Sequence, residues 1–412
     1  MKYNTHTLDN GLRIIHLPSD SKVVYCGYQI NAGTRDEEPG EEGLAHFCEH
    51  VTFKGTERRK AWHILNCLES VGGDLNAYTN KEGTVYYSAI LKEHIARAVD
   101  LLSDIVFHSV YPQAEIDKEV EVICDEIESY NDSPAELIYD EFENILFKDS
   151  SLGHNILGTA EQVRSFTTED ALRFTRKLYR PDNAIFFAYG DIDFKKLVKL
   201  VRRALADDDS GKLAAGILPK NYPSVREEIA GQTIVMQKNT HQAHVMIGTR
   251  AYDVNDDRRM PLYLLNNILG GPGMNAKLNL ALREHNGLVY TVESTMVAYG
   301  DTGTWSIYFG CDEHDIKRCL RLVRKELDRM MEKPLSDSQL KAAKKQIKGQ
   351  IGVACDNREN FALDFGKSFL HYGWEKNVDC LYEQVEAITS QQIQDVAREL
   401  FDKNRLITLI FK

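Results

Sequence analysis

Three residues near the start of the chain, His46, Glu49 and His50, have the types and spacing of a metal-assisted hydrolytic site. They sit in Gly43-Leu44-Ala45-His46-Phe47-Cys48-Glu49-His50-Val51-Thr52-Phe53, whose apolar residues read as a short, largely buried helix. Side chains three and four apart share a helix face. His46 and His50 therefore project side by side, with Glu49 next to them. Two imidazoles so placed can grip one zinc ion at about 2.0–2.1 Å each. A carboxylate beside them can take the proton of a water activated there. Catalytic zinc usually takes three protein ligands and keeps one position open, so a third ligand, of carboxylate type, is expected. Glu126 is a candidate, on a helix long enough to pack against the one bearing His46.

The remaining composition bounds the setting. At 412 residues the chain exceeds one ordinary core, and two domains of about 200 residues are expected. An apolar content of 43% beside 27% charged residues describes a globular protein. A net charge of −12 argues against nucleic acid as the main partner. It would suit a cavity that receives basic peptides, although a generally acidic surface is the plainer and favoured explanation. The sequence has no apolar run of membrane-spanning length, and its start lacks both a signal core and an Arg-rich transit pattern. The expectation is a cytoplasmic protein with no membrane partner. Eight scattered cysteines without a C-x-x-C pair read as free thiols, Cys48 among them as a packed thiol rather than a ligand.

The elements that must position these residues follow in order. Residues 10–16 and 23–32 alternate like paired strands, with a turn at Asn10-Gly11. A helix near 60–71 stops at Gly72-Gly73. Asp74-Leu75-Asn76-Ala77-Tyr78-Thr79 reads as a polar loop leading into the strand Thr84–Ile90, the two forming a hairpin. Helical periodicity covers 92–108. From Gln113 to Tyr130 a long helix sets Glu119 and Glu126 on one line, opposite the stripe Val120, Ile123, Cys124 and Ile127. Another helix starts at Pro134 and runs to about Phe147, and Ala184–Tyr189 is an apolar strand. Residues 206–224, with Asp207-Asp208-Asp209-Ser210-Gly211, Pro219 and Pro223, read as a linker.

After the linker the elements repeat. Strands near 228–237 and 243–250, helices near 258–269 and 275–285, a hairpin over 289–310, long helices and a last strand at Arg405–Phe411 are expected. Gly33-Thr34-Arg35 recurs as Gly248-Thr249-Arg250. At the same spacing Gly55 falls on Gly270, Leu65 on Leu280 and Glu69 on Glu284. His46, Glu49 and His50 fall on Pro261, Leu264 and Leu265. The fold expected is α+β: two homologous domains, each a mixed or antiparallel sheet covered by helices. Residues 1–206 form the metal-bearing domain, 207–224 the linker and 225–412 a copy without the metal site.

With these motifs in place the chain resembles the inverzincin metallopeptidases of the pitrilysin and insulin-degrading enzyme type, in the mitochondrial processing peptidase size class. That family pairs H-x-x-E-H with a downstream E-x6-E, matched here by Glu119 and Glu126. The resemblance implies one zinc per chain held by His46, His50 and Glu126, with Glu49 as general base and Glu119 as a supporting catalytic carboxylate. Gly73-Asp74-Leu75-Asn76-Ala77-Tyr78-Thr79 resembles the family's substrate strand, implying Asn76, Ala77 and Tyr78 as substrate-binding residues that pair with an extended peptide by β-augmentation. Leu282-Arg283-Glu284-His285-Asn286-Gly287-Leu288-Val289-Tyr290 resembles the family's Arg/Tyr motif, implying that Arg283 and Tyr290 anchor a substrate carbonyl and stabilise a developing oxyanion. Gly270-Gly271-Pro272-Gly273-Met274-Asn275-Ala276-Lys277-Leu278 departs from the small-Ser-Arg-Leu pattern common in relatives, which bears on substrate preference rather than on the chemistry.

The function implied is a zinc-dependent endopeptidase acting on unfolded peptides or oligopeptides held extended within a chamber. The expected assembly is a homodimer whose sites are completed in trans by the Arg/Tyr domain. Two other readings compete with it. One is a non-catalytic structural subunit of the same fold, as in respiratory complexes. The other is a member active only with a separate partner chain. His241 and His244, spaced H-x-x-H on an expected strand, would point to opposite faces and are read as surface residues.

Overall fold

The computed structural model describes residues 1–205, 220, 222 and 230–412. Its contacts divide the chain into two compact units. One comprises Met1–Glu128, His154–Tyr222 and Ala354–Asn377; the other comprises Ser129–Gly153, Pro223–Val353 and Val378–Lys412.

The first unit is built on six strands: β1 (Asn4–Thr7), β2 (Arg13–Pro18), β3 (Val23–Ile30), β4 (Asp74–Thr79), β5 (Thr84–Leu91) and β6 (Ala184–Gly190). Their order across the sheet is β1-β2-β6-β3-β5-β4. Only β2 and β6 run parallel; the other neighbours are antiparallel. Along β3, Val24, Cys26, Tyr28 and Ile30 are fully buried, as a strand at the centre of a covered sheet requires. The helix α3 (Ile95–Phe107) packs on β3 and β5. The helices α1 (Leu44–Thr52) and α2 (Ala61–Glu69) pack on β4, α2 also against α3. Asp74–Thr79, read from its polarity as a loop, is instead the strand β4. Tertiary pairing with β5, from Asp74↔Ala89 to Thr79↔Thr84, outweighs its composition. It is the last strand of the sheet, so its outer backbone edge pairs with no other described strand.

The second unit repeats this plan in five strands: β7 (Thr233–Met236), β8 (Ala243–Ala251), β9 (Val289–Ala298), β10 (Gly303–Cys311) and β11 (Ile407–Phe411). The order β7-β11-β8-β10-β9 matches β2-β6-β3-β5-β4 position by position. Even the single parallel pair, β7 with β11, corresponds to β2 with β6. The expected strand near 228–237 is confined to Thr233–Met236 among the described residues, and the expected linker falls largely outside them.

The compact units do not follow the expected bounds 1–206 and 225–412. The helix α5 (Pro134–Leu146) lies in the first half of the chain but packs on β8 and β11. There Leu137, Ile138, Phe142 and Leu146 share a core with Met246, Ile407, Leu409 and Phe411. In return the helix Arg358–Tyr372 packs on β3 and β6 of the first sheet. Phe365 of that helix meets Phe187 and Tyr189 edge-on, and Gln29 Nε2 donates to Leu363 O at 2.8 Å. A Cβ on Gly366 would lie 2.7 Å from the Gln29 amide, so a larger residue there would have to displace that side chain.

The segment between α1 and α2 is tied to α3 by two carboxylates, Asp100, which pairs with Arg58 and Arg59, and the more deeply buried Asp104. Asp104, whose side chain is fully buried, accepts from Thr56 Oγ1 at 2.8 Å, Arg58 Nε at 3.0 Å and Arg59 Nη1 at 2.5 Å. Burial alone would raise its carboxyl, but these hydrogen bonds, from Arg59 first, hold it below the ordinary value. A depressed carboxylate contributes stability that is present above its unfolded value, near 3.9, and lost as pH falls through the folded one. Asp104→Asn should therefore destabilise the protein by roughly 2 kcal/mol at pH 7. The gap from wild type should narrow steadily below about pH 4. Urea unfolding at a series of pH values checks both; a gap unchanged with pH would mean the carboxylate charge contributes nothing.

Candidate metal centre

The geometry begins with how α1 is started. Gly43 precedes it at φ +98°, a left-handed conformation in which a Cβ would also meet Leu157 O at 2.7 Å. The buried carboxylate of Glu37 then accepts from the backbone N–H of Gly43 (3.1 Å) and of Ala45 (2.7 Å). It satisfies donors that a helix start leaves open, and it places negative charge at the positive end of the helix. His154 Nε2 lies 2.8 Å from the same carboxylate. Leu44, Ala45, Phe47, Cys48 and Val51 are fully buried. The apolar side of α1 is thus sunk in the core, and its polar face is held rigidly.

On that face the His46 and His50 rings lie 4.7 Å apart. The long helix α4 (Gln113–Asn131) brings Glu126 to them. Glu126 Oε1 is 3.8 Å from His46 Nε2, and Glu126 Oε2 is 3.2 Å from His50 Nε2. The three donor atoms lie within 4.8 Å of one another. His46 is buried yet forms no hydrogen bond, and its Nδ1 is without a partner among the described residues. A buried imidazole in that state is costly unless an electrophile engages its Nε2. Burial first, then the charge of His50, lowers its pKa to about 4, so it is neutral, as a ligand must be. Two neutral-capable nitrogens and one carboxylate oxygen form a donor set of the kind that catalytic zinc takes, and these residues fit such an ion.

Glu119, one α4 heptad before Glu126, does not join the donor set. Its Oε1 lies 3.1 Å from His50 Nδ1, and its Oε2 pairs with Lys54 Nζ at 2.5 Å. Burial opposes ionisation of Glu119, but the contacts with His50 and Lys54 hold its carboxyl below the usual range. A carboxylate on the far nitrogen of a ligating imidazole fixes its tautomer and orientation. For His50, burial works against protonation, but Glu119 and Glu126 raise its pKa to about 9, so an ion arriving at Nε2 must displace a proton.

Glu49 faces the same space from α1. Its carboxyl is buried, which raises its pKa, and it accepts from Thr79 Oγ1 at 2.6 Å. Thr79 ends β4, so the strand carrying Asn76, Ala77 and Tyr78 is joined to Glu49 by its last residue. Those three pair with Tyr87, Tyr86 and Val85 of β5, and Asn76 is exposed on the edge strand. Arg283 and Tyr290 lie on the second unit. Arg283 is in a π-helical turn, Asn279–Glu284, where an ordinary helix over 275–285 was expected, and Tyr290 opens β9. The guanidinium sits 5.5 Å from the centre of the Tyr290 ring, and Tyr290 is 81% exposed. At the places corresponding to His46, Glu49 and His50, the second unit has Pro261, Leu264 and Leu265, all buried in the helix Arg259–Gly270.

Sequence reasoning missed Glu37, Lys54, Thr79 and His154. Lys54 had a local signal, four residues after His50. Glu37 and His154 meet across 117 residues, and no spacing reveals that. Cys48 is a buried free thiol, as expected. His244 lies on β8 with Nδ1 2.9 Å from Tyr308 Oη.

A duplicated α+β architecture with one metal-type donor set and one apolar copy is the class that fold and site define. Comparison with known proteins agrees. Residues 14–160 match the family model described as Insulinase (Peptidase family M16), and residues 165–347 match Peptidase M16 inactive domain. An uncharacterized zinc protease of Streptomyces coelicolor is 33% identical across 98% of this chain and 88% of its own length. One of Bacillus subtilis is 30% identical across 98% and 97%. The chain belongs to the M16 peptidase family. Among solved structures, a protease from Helicobacter pylori shares the fold with a TM-score of 0.90 at 21% identity, covering 100% of this chain and 99% of that one. Complex III2 from Candida albicans contains a chain of the same fold, with a TM-score of 0.84 at 19% identity, covering 99% and 95%. Among the described residues no helix is long and apolar enough to cross a membrane.

The two acidic residues of α4 should separate on metal titration against a competing chelator. Glu126→Ala should abolish stoichiometric binding. Glu119→Ala should retain binding with affinity about 10- to 100-fold weaker. Wild-type affinity in the Glu119 variant would remove that residue from the support of His50.

Proposed function

We propose that this chain is a zinc-dependent endopeptidase that hydrolyses unfolded peptides or oligopeptides held in extended form within a chamber. The observation that carries the reading is the Glu49 carboxylate, held beside the His46, His50 and Glu126 donors and tied to the open strand β4. Bound there, zinc would polarise a peptide carbonyl and make water acidic enough to be deprotonated near neutral pH.

The protein's own groups supply the rest. An extended peptide would add to the free edge of β4, its backbone amides and carbonyls pairing along Asn76, Ala77 and Tyr78. That mode tolerates many side-chain sequences. Glu49, its carboxyl raised by burial, takes the proton of the attacking water and returns it to the leaving amine, one group serving as base and then acid. Glu119 keeps the His50 ring in place. Arg283 and Tyr290 are assigned to the substrate carbonyl and the charge that develops on it. We assign that pair to a second copy of the chain, so that a homodimer completes each site in trans. Eight free thiols support a reducing compartment as the place of action. The structural-subunit reading draws on the Complex III likeness, but it leaves the unpartnered buried His46 without a purpose.

Glu49→Gln should bind about one zinc per chain and lose turnover of a quenched-fluorescent unstructured peptide by roughly 10²- to 10⁴-fold. Chelator should silence the wild type. A Gln variant as active as wild type would defeat the assignment of Glu49. Mixed dimers of Glu49→Gln with Arg283→Ala protein should regain part of the activity that each lacks alone, and the absence of any recovery in demonstrated heterodimers would count against sharing in trans.

A further inference from the structure

Glu49 has one feature that the general-base role does not explain. Among the described residues a single group donates to its carboxylate, the hydroxyl of Thr79, at 2.6 Å to Oε2. That is the length of a charge-assisted O–H···O⁻ hydrogen bond. The other oxygen, Oε1, receives no donor from the described residues.

A hydroxyl has one proton to give, and the neighbouring groups decide where it goes. Thr84 Oγ1 approaches Thr79 Oγ1 at 3.4 Å, but it donates its own proton to Ala32 O at 2.8 Å. The Thr79 proton is therefore directed at Glu49. The backbone behind Thr79 is also fixed. In the turn from Asn80 to Gly83, Asn80 N donates to Gly83 O at 2.9 Å, and Asn80 Oδ1 accepts from Glu82 N and Gly83 N at 2.9 and 2.8 Å. Thr34 N and Arg35 N donate to Asn80 O and Lys81 O at 3.2 and 2.8 Å. The buried Arg35 guanidinium reaches Glu82 at 2.9 Å and lies 3.6 Å from the centre of the Tyr222 ring. Gly33 completes the fit, since a Cβ there would fall 2.4 Å from Asn80 O. Thr79 is thus the end of a clamped hairpin as well as the last residue of the edge strand.

We propose that Thr79 is the positioning residue for the general base. Its hydroxyl holds one oxygen of Glu49 so that the other stays free and aimed for proton transfer, and it ties the base to the strand on which an extended peptide lies. This inference rests on the peptidase reading above. Thr79 keeps its own proton throughout. The proton that moves goes from water to the free oxygen of Glu49 and on to the leaving amine. Because Thr79 acts through geometry, losing its hydroxyl should lower the rate of the chemical step, with substrate binding and the metal donors intact.

The experiment compares wild type, Thr79→Val, Thr79→Ser and Glu49→Gln, each loaded with zinc. Zinc content, thermal midpoint, kcat and KM on a quenched-fluorescent unstructured peptide are measured. Binding of the same peptide is measured by anisotropy in the Glu49→Gln background with and without Thr79→Val. Thr79→Val, which keeps the branched shape, should lose on the order of 10- to 100-fold in kcat, the scale of a misplaced catalytic group. KM, peptide affinity and zinc content should stay within about twofold. Thr79→Ser should recover most of the loss, since the hydroxyl is what acts. Wild-type kcat in the Val variant, parallel loss of zinc or peptide binding, or a Ser variant no better than Val would each overturn the proposal. Should wild type and Glu49→Gln be equally inactive, the peptidase reading fails instead. High-resolution structures of the Val and Ser variants then decide the positioning role alone: an unmoved Glu49 carboxylate in Thr79→Val overturns it, and a rotated one restored in Thr79→Ser supports it.

Discussion

The site depends on the burial of the short helix α1. A helix of nine residues has little stability of its own in water, so its order comes from Leu44, Ala45, Phe47, Cys48 and Val51 sunk in the core and from the Glu37 carboxylate at its start. That burial takes His46 and Glu49 out of bulk water and leaves His50 part-exposed. Among the described residues His46 is left without a hydrogen bond, the Glu49 carboxyl is raised, and His50 lies between two carboxylates. A buried imidazole without a hydrogen bond and a carboxyl raised by burial are states that polar side chains avoid unless something compensates them, and a divalent cation at the convergence of His46, His50 and Glu126 would compensate both.

The duplicated sheet shows which parts of this are fold and which are chemistry. Both units keep the same strand order and the same single parallel pair. Where the first unit places His46, Glu49 and His50, the second buries Pro261, Leu264 and Leu265. The helix position therefore tolerates an apolar core on its own account, and the polar set in the first unit is not needed to build the fold. In the second unit the exposed Tyr290, on the strand equivalent to β4, has the Arg283 guanidinium of the preceding turn beside its ring.

Much of this was legible from local pattern. The i, i+4 histidines, the acid before the second one, the Glu119 and Glu126 pair seven apart and the repeat of Gly33-Thr34-Arg35 at Gly248-Thr249-Arg250 all act over short distances or by direct comparison. Such signals survive without coordinates. By composition Asp74–Thr79 is polar enough to read as a loop, although the hairpin and the resemblance to a substrate strand both point to pairing; the ladder with β5 makes it a strand. The compact units cross the expected bounds for a related reason. The stripe Leu137, Ile138, Phe142 and Leu146 shows that α5 must be buried, and Phe361 with Phe365 shows the same for the helix that carries them. An apolar stripe does not say which sheet will cover it, and each helix is covered by the sheet from the other half of the chain.

By itself, then, the sequence determined the donor types, their helical phase and the duplication, because these follow from backbone periodicity, which is the same in every protein. Only the tertiary structure decided which nitrogen of His50 faces Glu126 and which faces Glu119, that Thr79 closes on Glu49, and that Glu37 caps α1 with His154 behind it. The Glu37 cap is local, spanning six and eight residues, but the other contacts join residues between 30 and 117 positions apart. They form by packing of whole elements, where a shift of one or two ångströms makes or breaks a hydrogen bond, and no rule of spacing reaches across that distance.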